Sequence, residues 1–202
     1  MHELAQQIIP LYERHALQWD AARRRQPLIE SGWLERFEGL LPLGASVLDL
    51  GCGGGDPIAV HFAKHGFNVT GIDSSETMVS LFRRRLPAAK ALLGDMRALR
   101  LDRGFQGVLA WDSFFHLTHD DQRQMFEVFQ RHSVPGALLM FTSGPEHGEA
   151  IGALEGEALY HASLSGTEYQ DLLSTSGYTV VEHVVNDTSC GGRTVWLARQ
   201  RP

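Results

Sequence analysis

A short apolar run, Ser46–Leu50, stops at alternate glycines, Gly51, Gly53 and Gly55, and the chain then reads at once as helix. No other feature constrains the fold of this chain as strongly. Glycine is needed where backbone turns sharply, or where a ligand must touch it with no side chain between. Asp56 is a candidate N-cap and Pro57 a candidate first helical residue, so the helix start would present free amides to an anionic group. Asp73 closes the next apolar run. A carboxylate at the tip of a second strand can accept from ribose hydroxyls, as in other doubly wound nucleotide-binding folds.

The rest of the pattern agrees with such a fold. Leu4, Ile8, Leu11, Tyr12, His15 and Trp19 recur at helical spacing, with Pro10 marking a break, and Leu34, Phe37, Leu40 and Leu41 repeat it. Two helices within residues 1–41 therefore precede the first strand. Strand 45–50, helix 57–65, strand 67–73, helix 75–85 and strand 90–93 follow. Strand 105–111, helix 119–131 capped by Thr118, and strand 136–141 continue the alternation. Helix 166–176 precedes an antiparallel closing pair, 178–185 and 194–199. Regular alternation predicts an α/β chain, a Rossmann-like doubly wound sheet with helices on both faces and right-handed crossovers. Residues 142–158 show no convincing period, and long irregular stretches in compact domains are usually functional.

Length and composition set outer bounds. With 202 residues the chain reads as one domain, 1–202, with a substantial core. No apolar run approaches bilayer length, and His2–Glu13 lacks a signal-peptide core. Two cysteines, Cys52 and Cys190, imply no disulfide framework and fit a reducing cytoplasm. Cys52 reads as a small buried side chain rather than a nucleophile. The net charge of −6 argues against a polyanionic partner, so neither nucleic acid nor membrane is expected; a homodimer is allowed. The run Arg83–Arg85 reads as a solvated helix end. An arginine of Arg23–Arg25 is placed to reach a bound carboxylate, without the sequence choosing which. No metal is expected: His61 and His65 are four apart on one helix, but no third ligand is evident.

Two readings of the glycine turn compete. The dinucleotide fingerprint Gly-x-Gly-x-x-Gly fails, because Asp56 stands at its last position. What stands instead is Asp-x-Gly-x-Gly-x-Gly, Asp49 to Gly55. This resembles the first motif of class I S-adenosylmethionine (SAM)-dependent methyltransferases. Val69–Ser74 looks like that family's second motif, Gly94-Asp95-Met96 its third, and Gly107–Leu117 its fourth. In order, these motifs span roughly residues 45–142.

The resemblance implies SAM as cofactor, S-adenosylhomocysteine as product, and a seven-stranded sheet whose closing antiparallel pair lies at one edge. It puts Gly51, Cys52, Gly53 and Gly55 against the methionine part, Asp73 and Ser74 at the ribose, and Asp95 and Met96 at the adenine. Trp111 and Asp112 lie beside the sulfonium. Asp49 either orders the loop or meets the cofactor's ammonium. The acceptor would approach Trp111–His116, with Phe114, His147 and Tyr160 around it, and residues 142–161 as a lid. His116 and His161 are the candidate bases, since imidazole titrates near neutrality. Methyl transfer needs no fixed catalytic residue when the acceptor arrives deprotonated.

The base-methylating signature and a Pro-Cys pair are both absent, which favours a small acceptor over nucleic acid. The rival readings are a catalytically silent SAM-binding domain and, behind it, an NAD-type dehydrogenase.

Overall fold

The computed structural model describes residues 2–202; Met1 of the expected N-terminal segment lies outside them. Helices α1 (His2–Gln6), α2 (Ile8–Arg23) and α3 (Ser31–Gly39) come first. The break expected at Pro10 falls at Gln7 instead. Pro10 sits in the first turn of α2, where a missing N–H leaves no intrahelical bond unmade.

The alternating part follows as β1 (Ser46–Leu50), α4 (Ile58–Lys64), β2 (Asn68–Asp73), α5 (Glu76–Arg85), β3 (Lys90–Leu93), β4 (Phe105–Ala110), α6 (His119–Arg131) and β5 (Ser133–Ser143). Next come β6 (Gly148–Leu154), β7 (Glu157–Ser163), α7 (Gly166–Thr175), β8 (Tyr178–Asp187) and β9 (Arg193–Gln200). One seven-stranded sheet has the order β3-β2-β1-β4-β5-β9-β8. Its first five strands pair in parallel, and β9 joins antiparallel to both β5 and β8, giving the antiparallel edge pair.

Strand alternation divides the core in two. Leu48 and Leu50 of β1 face a cluster with Phe126 and Phe129 of α6 and Leu173 of α7. Val47 faces the other way, onto Trp33, Leu34 and Phe37 of α3, Phe62 of α4 and Phe82 of α5. Strand order reverses between β1 and β4, so the crevice over their C-terminal ends is the topological switch point.

Three expectations change here. Residues 142–158 are not irregular: β5 runs on to Ser143, and β6 and β7 form a separate two-stranded hairpin in register from Gly148↔Ser163 to Leu154↔Glu157. Its turn residues Glu155 (φ 50°) and Gly156 (φ 84°) are both left-handed, as a tight two-residue hairpin turn requires. Asp56 does not cap α4; Pro57 occupies the N-cap and Asp56 pairs with Arg24 at 3.2 Å. Nor is Arg83–Arg85 simply solvated. Arg83 donates to the Ala91 carbonyl, and Arg85 pairs with buried Asp20 of α2 and donates to the Gly54 carbonyl at 2.7 Å. The end of α5 is thus tied to both α2 and the glycine turn.

Candidate active site

One cavity of about 1170 Å³, counting the part open to solvent, covers the switch point. Its floor is the glycine turn, and the turn's geometry explains its composition. Gly51 (φ 76°) donates to the Ile72 carbonyl at 2.8 Å, and a Cβ there would lie 2.3 Å from the Ser113 Cβ. Gly53 (φ 53°) faces the Trp19 ring, 3.2 Å from where its Cβ would be. Gly51 has both a left-handed backbone and no room for a Cβ; at Gly53 the backbone is left-handed and the space for a Cβ is tight. Cys52 and Gly55 also line the cavity. Burial, then the Asp73 and Asp49 charges, push the Cys52 thiol well up, and it donates weakly to the Gly53 carbonyl at 3.5 Å. It is a neutral small side chain.

Asp73 ties β2 to that turn. One carboxylate oxygen accepts from the Gly53 amide at 2.8 Å, the other from the Ser75 amide at 2.9 Å. Burial raises its pKa, with these bonds opposing the rise. Ser75, not Asp73, caps α5 by accepting from the Met78 amide, and Ser74 is left on the cavity wall. Asp49 behaves differently. It is 3% exposed, lines the cavity, and its carboxylate has no hydrogen-bond partner among the described residues. Burial, with the Asp73 charge second, pushes its pKa up to about 7. Asp49 therefore does not order the loop through its side chain.

Asp95 and Met96 line the far end, where Asp95 caps the turn Met96–Ala98 by accepting from the Arg97 amide. Burial alone would raise the Asp95 carboxyl, but the Arg97 guanidinium and amide outweigh it and hold the pKa below the usual value. At the other end, Trp111 and Asp112 follow β4. Asp112 is left-handed (φ 49°), and its carboxylate is gripped by the Arg193 guanidinium at 2.6–2.9 Å. The Trp111 indole nitrogen is buried without a partner among the described residues.

At this end of the cavity the lining differs from the residues expected around the acceptor. His116 lines the cavity, but both ring nitrogens are engaged, Nε2 with the Tyr12 hydroxyl at 2.9 Å and Nδ1 with the Tyr160 carbonyl at 2.8 Å. Burial pushes its pKa down to about 3, with the His161 charge a minor cause. An imidazole held so low, with both nitrogens engaged, is a poor base near neutrality. His161 is not on the wall; its ring packs behind, 4.8 Å from His116 and 5.3 Å from Phe115. Phe114 is wholly buried in the core between Phe126, Phe129 and Phe141. His147 is exposed and stacks on His119 at 4.5 Å, and Tyr160 is buried with its hydroxyl donating to Glu149 at 2.6 Å. None of these four lines the cavity. The hairpin acts from behind, through the Tyr160 carbonyl on His116 and through Glu157, which binds Arg14 and His15 of α2 at 2.6 Å each.

The residues in those places come from α2 instead: Tyr12, Trp19 and Arg23, together with Ile8 and Ile9. Tyr12 and Trp19 are two turns apart and meet edge to face at 6.1 Å. The helical spacing was visible in sequence, but it reads equally as core. Of the three arginines, Arg23 reaches the cavity; it pairs with buried Glu30, and its Nη1 is buried without a partner among the described residues. Arg193, 81 residues beyond Asp112, carries no local signal at all.

Residues 47–136 match the family sequence model described as "Methyltransferase domain". The chain is 31% identical over 137 residues to "Putative methyltransferase YqeM" of Bacillus subtilis (strain 168), an alignment covering 65% of this chain and 54% of that protein. It is 32% identical over 183 residues to "S-adenosyl-L-methionine-dependent Diels-Alderase iliD" of Neonectria sp. (strain DH2), covering 81% of this chain and 72% of that one. The chain thus spans about half the length of the Bacillus relative and nearly three quarters of the fungal one. Among solved structures, the 1,6-didemethyltoxoflavin-N1-methyltransferase of Burkholderia thailandensis, with bound 1,6-didemethyltoxoflavin and S-adenosylhomocysteine, superposes with TM-score 0.75 at 18% identity, covering 100% of this chain and 90% of that one. With the motifs in order, the sheet order of that fold and a relative matched along most of its length, the chain belongs to the class I SAM-dependent methyltransferases.

Proposed function

We propose that this chain transfers a methyl group from SAM to a small-molecule acceptor by in-line displacement. The observation that carries the reading is a single cavity joining two chemically different ends. One holds the glycine turn, Asp49, Asp73, Asp95 and Met96; the other holds Tyr12, Trp111, Asp112 and His116. When bound, SAM would supply a methyl group on a sulfonium, which the acceptor's lone pair would displace with S-adenosylhomocysteine as the leaving group.

The residues present fit that donor. The unpartnered, buried Asp49 carboxylate suits a cationic group, here the methionyl ammonium. Asp73 has lone pairs left for ribose hydroxyls after its two backbone bonds, and Ser74 stands beside it. Asp95 can accept from the adenine amino group while holding Arg97, with the Met96 amide donating to the ring. Arg23, alone of Arg23–Arg25 in lining the cavity, is our choice for the methionyl carboxylate, although its guanidinium also pairs with Glu30.

At the other end the chain's part is positioning. Tyr12, Trp111 and the Arg193-clamped Asp112 wall the space beside the methyl group, and His116 fixes Tyr12. Holding two reactants in line can supply roughly 7–11 kcal/mol of a barrier. An acceptor that enters deprotonated then needs no base.

A small acceptor is supported by the partly enclosed cavity, by the net charge of −6, and by the small heterocycle bound in the Burkholderia structure. Free thiols at Cys52 and Cys190 support a cytoplasmic setting. No helix among the described residues is long and apolar enough to cross a membrane.

The test is incubation with methyl-labelled SAM and a panel of small amines, phenols and carboxylic acids, reading label in the product and S-adenosylhomocysteine release together. Acceptor-dependent release with labelled product is expected. A second reading, a SAM-binding chain with a reaction other than methyl transfer, follows from the relative named as a SAM-dependent Diels-Alderase. Tight S-adenosylhomocysteine binding with no methylated product from any acceptor would favour that reading over ours.

A further inference from the structure

Outside the cavity, one cluster of metal-ligating side chains is assembled from two elements. His61, in the last turn of α4, and His65, its C-cap, present ring nitrogens one turn apart. Glu38 of α3 comes between them, with an oxygen 3.2 Å from His61 Nε2 and 2.8 Å from His65 Nδ1. Ligand atoms of all three lie within 4.8 Å of one another, and the two rings are 4.2 Å apart. Sequence could not show this, because Glu38 lies 23 residues before His61.

We propose that Glu38, His61 and His65 bind a divalent cation of the zinc class, which clips α3 to α4. Two imidazoles and one carboxylate are a zinc donor set. Tetrahedral zinc with ligands at about 2.0–2.1 Å needs donor atoms about 3.3 Å apart, close to the spacing already present. Small side-chain shifts complete it. In the cation-free state Glu38 accepts from both rings. On binding, the ring protons move to His61 Nδ1 and His65 Nε2, freeing the lone pairs that now face Glu38.

The electrostatics favour a cation. Glu35, one turn earlier on α3, adds a second negative charge near His61. The site also has an entry path, since the His65 side chain is 48% exposed while His61 and Glu38 are 12% and 18% exposed. A fourth position is left to water.

The site is separate from the SAM cavity. None of the three residues lines it: Glu38 is on α3, and His61 and His65 lie in the last turn and at the C-cap of α4, at the end away from the glycine turn. Its effect is structural. α3 buries Trp33, Leu34 and Phe37 and follows directly on the α2 segment that walls the cavity. Holding α3 to α4 therefore resists detachment of the N-terminal helices from the sheet.

The test uses the full-length chain without a histidine tag, stripped with EDTA and dialysed against zinc sulfate, with bound zinc counted by plasma mass spectrometry and Tm read by calorimetry. One zinc per chain is expected, with Tm raised by about 5–10 °C at a hundredfold excess over Kd. Both effects should disappear in His65→Ala and in Glu38→Gln. The latter keeps the side chain's shape and can still accept from a histidine ring. No zinc uptake by the unaltered chain, or uptake undiminished in both variants, as if the thiols held the metal, would overturn the site. Uptake without a rise in Tm would overturn the clip.

Discussion

The Tyr12 hydroxyl lies 2.9 Å from His116 Nε2, and the opposite ring nitrogen is 2.8 Å from the Tyr160 carbonyl. A carbonyl only accepts, so Nδ1 carries the hydrogen, and Nε2 must accept from Tyr12. A residue of the first long helix, one after β4 and one from the hairpin are thereby locked into a single chain. Burial raises the Tyr12 pKa, so the hydroxyl stays a donor. Tyr12→Phe leaves Nε2 buried without a partner, which should cost about 1–3 kcal/mol. Urea unfolding measures it. If Tyr12 stands beside the acceptor, as proposed, affinity for S-adenosylhomocysteine should change far less than turnover.

His116 carries a pH signature. Its folded pKa of about 3 lies below the ordinary 6.5, so the folded state resists protonation. Its contribution to stability is complete above pH 6.5 and is lost as pH falls towards 3. Unfolding midpoints taken between pH 7 and pH 4 should fall more steeply for the unaltered chain than for His116→Gln. The methyl-transfer rate, in turn, should show no deprotonation step near neutrality that disappears in His116→Gln. Such a step would restore His116 as a base.

Asp49 has the opposite sign. Its folded pKa of about 7 exceeds the ordinary 3.8, so the folded state holds a proton that the unfolded chain releases. The associated stability is full below pH 3.8 and is lost as pH rises through about 7. Asp49→Asn should therefore be more stable than the unaltered chain at pH 8, without ligand. Its affinity for S-adenosylhomocysteine should be lower at that pH, and the unaltered chain should bind more tightly as pH rises from 6 to 8. Calorimetric titration across that range checks both signs.

Asp73→Ala should weaken S-adenosylhomocysteine binding by about 10- to 150-fold, the equivalent of charge-assisted hydrogen bonds worth roughly 1.5–3 kcal/mol. Fold stability should fall as well, because the Gly53 and Ser75 amides lose their acceptor. Asp73→Asn separates the two effects. It keeps one acceptor for the backbone, so binding should fall more than stability.

With a net charge of −6, the chain should bind duplex DNA or RNA weakly at physiological salt. Fluorescence polarisation measures this, and submicromolar binding would remove the preference for a small acceptor.

Local signals were enough for the parallel half of the sheet and for the cavity floor. Gly51 and Gly53 are legible because a left-handed backbone with little or no room for a Cβ favours one residue type, and Asp73 because it closes a strand at a fixed distance beyond them. Every residue expected around the cofactor, Asp49 to Asp112, lines the one cavity. The hairpin escaped notice because half of Gly148–Ser163 is Gly, Ala or Ser, scattered among the larger residues, which leaves no hydrophobic alternation to read.

The acceptor end depends on packing between distant segments. His116 is a reasonable base on paper; burial beneath Tyr12 and the Tyr160 carbonyl makes it a poor one. Arg193 reaches Asp112 across 81 residues, and Glu38 reaches His61 across 23. Short-range chemistry writes itself into sequence because neighbours along the chain must satisfy one another's backbone. Desolvation and ion pairing between remote segments are set only when the chain has folded, so the protonation states and the walls of this site belong to the tertiary structure.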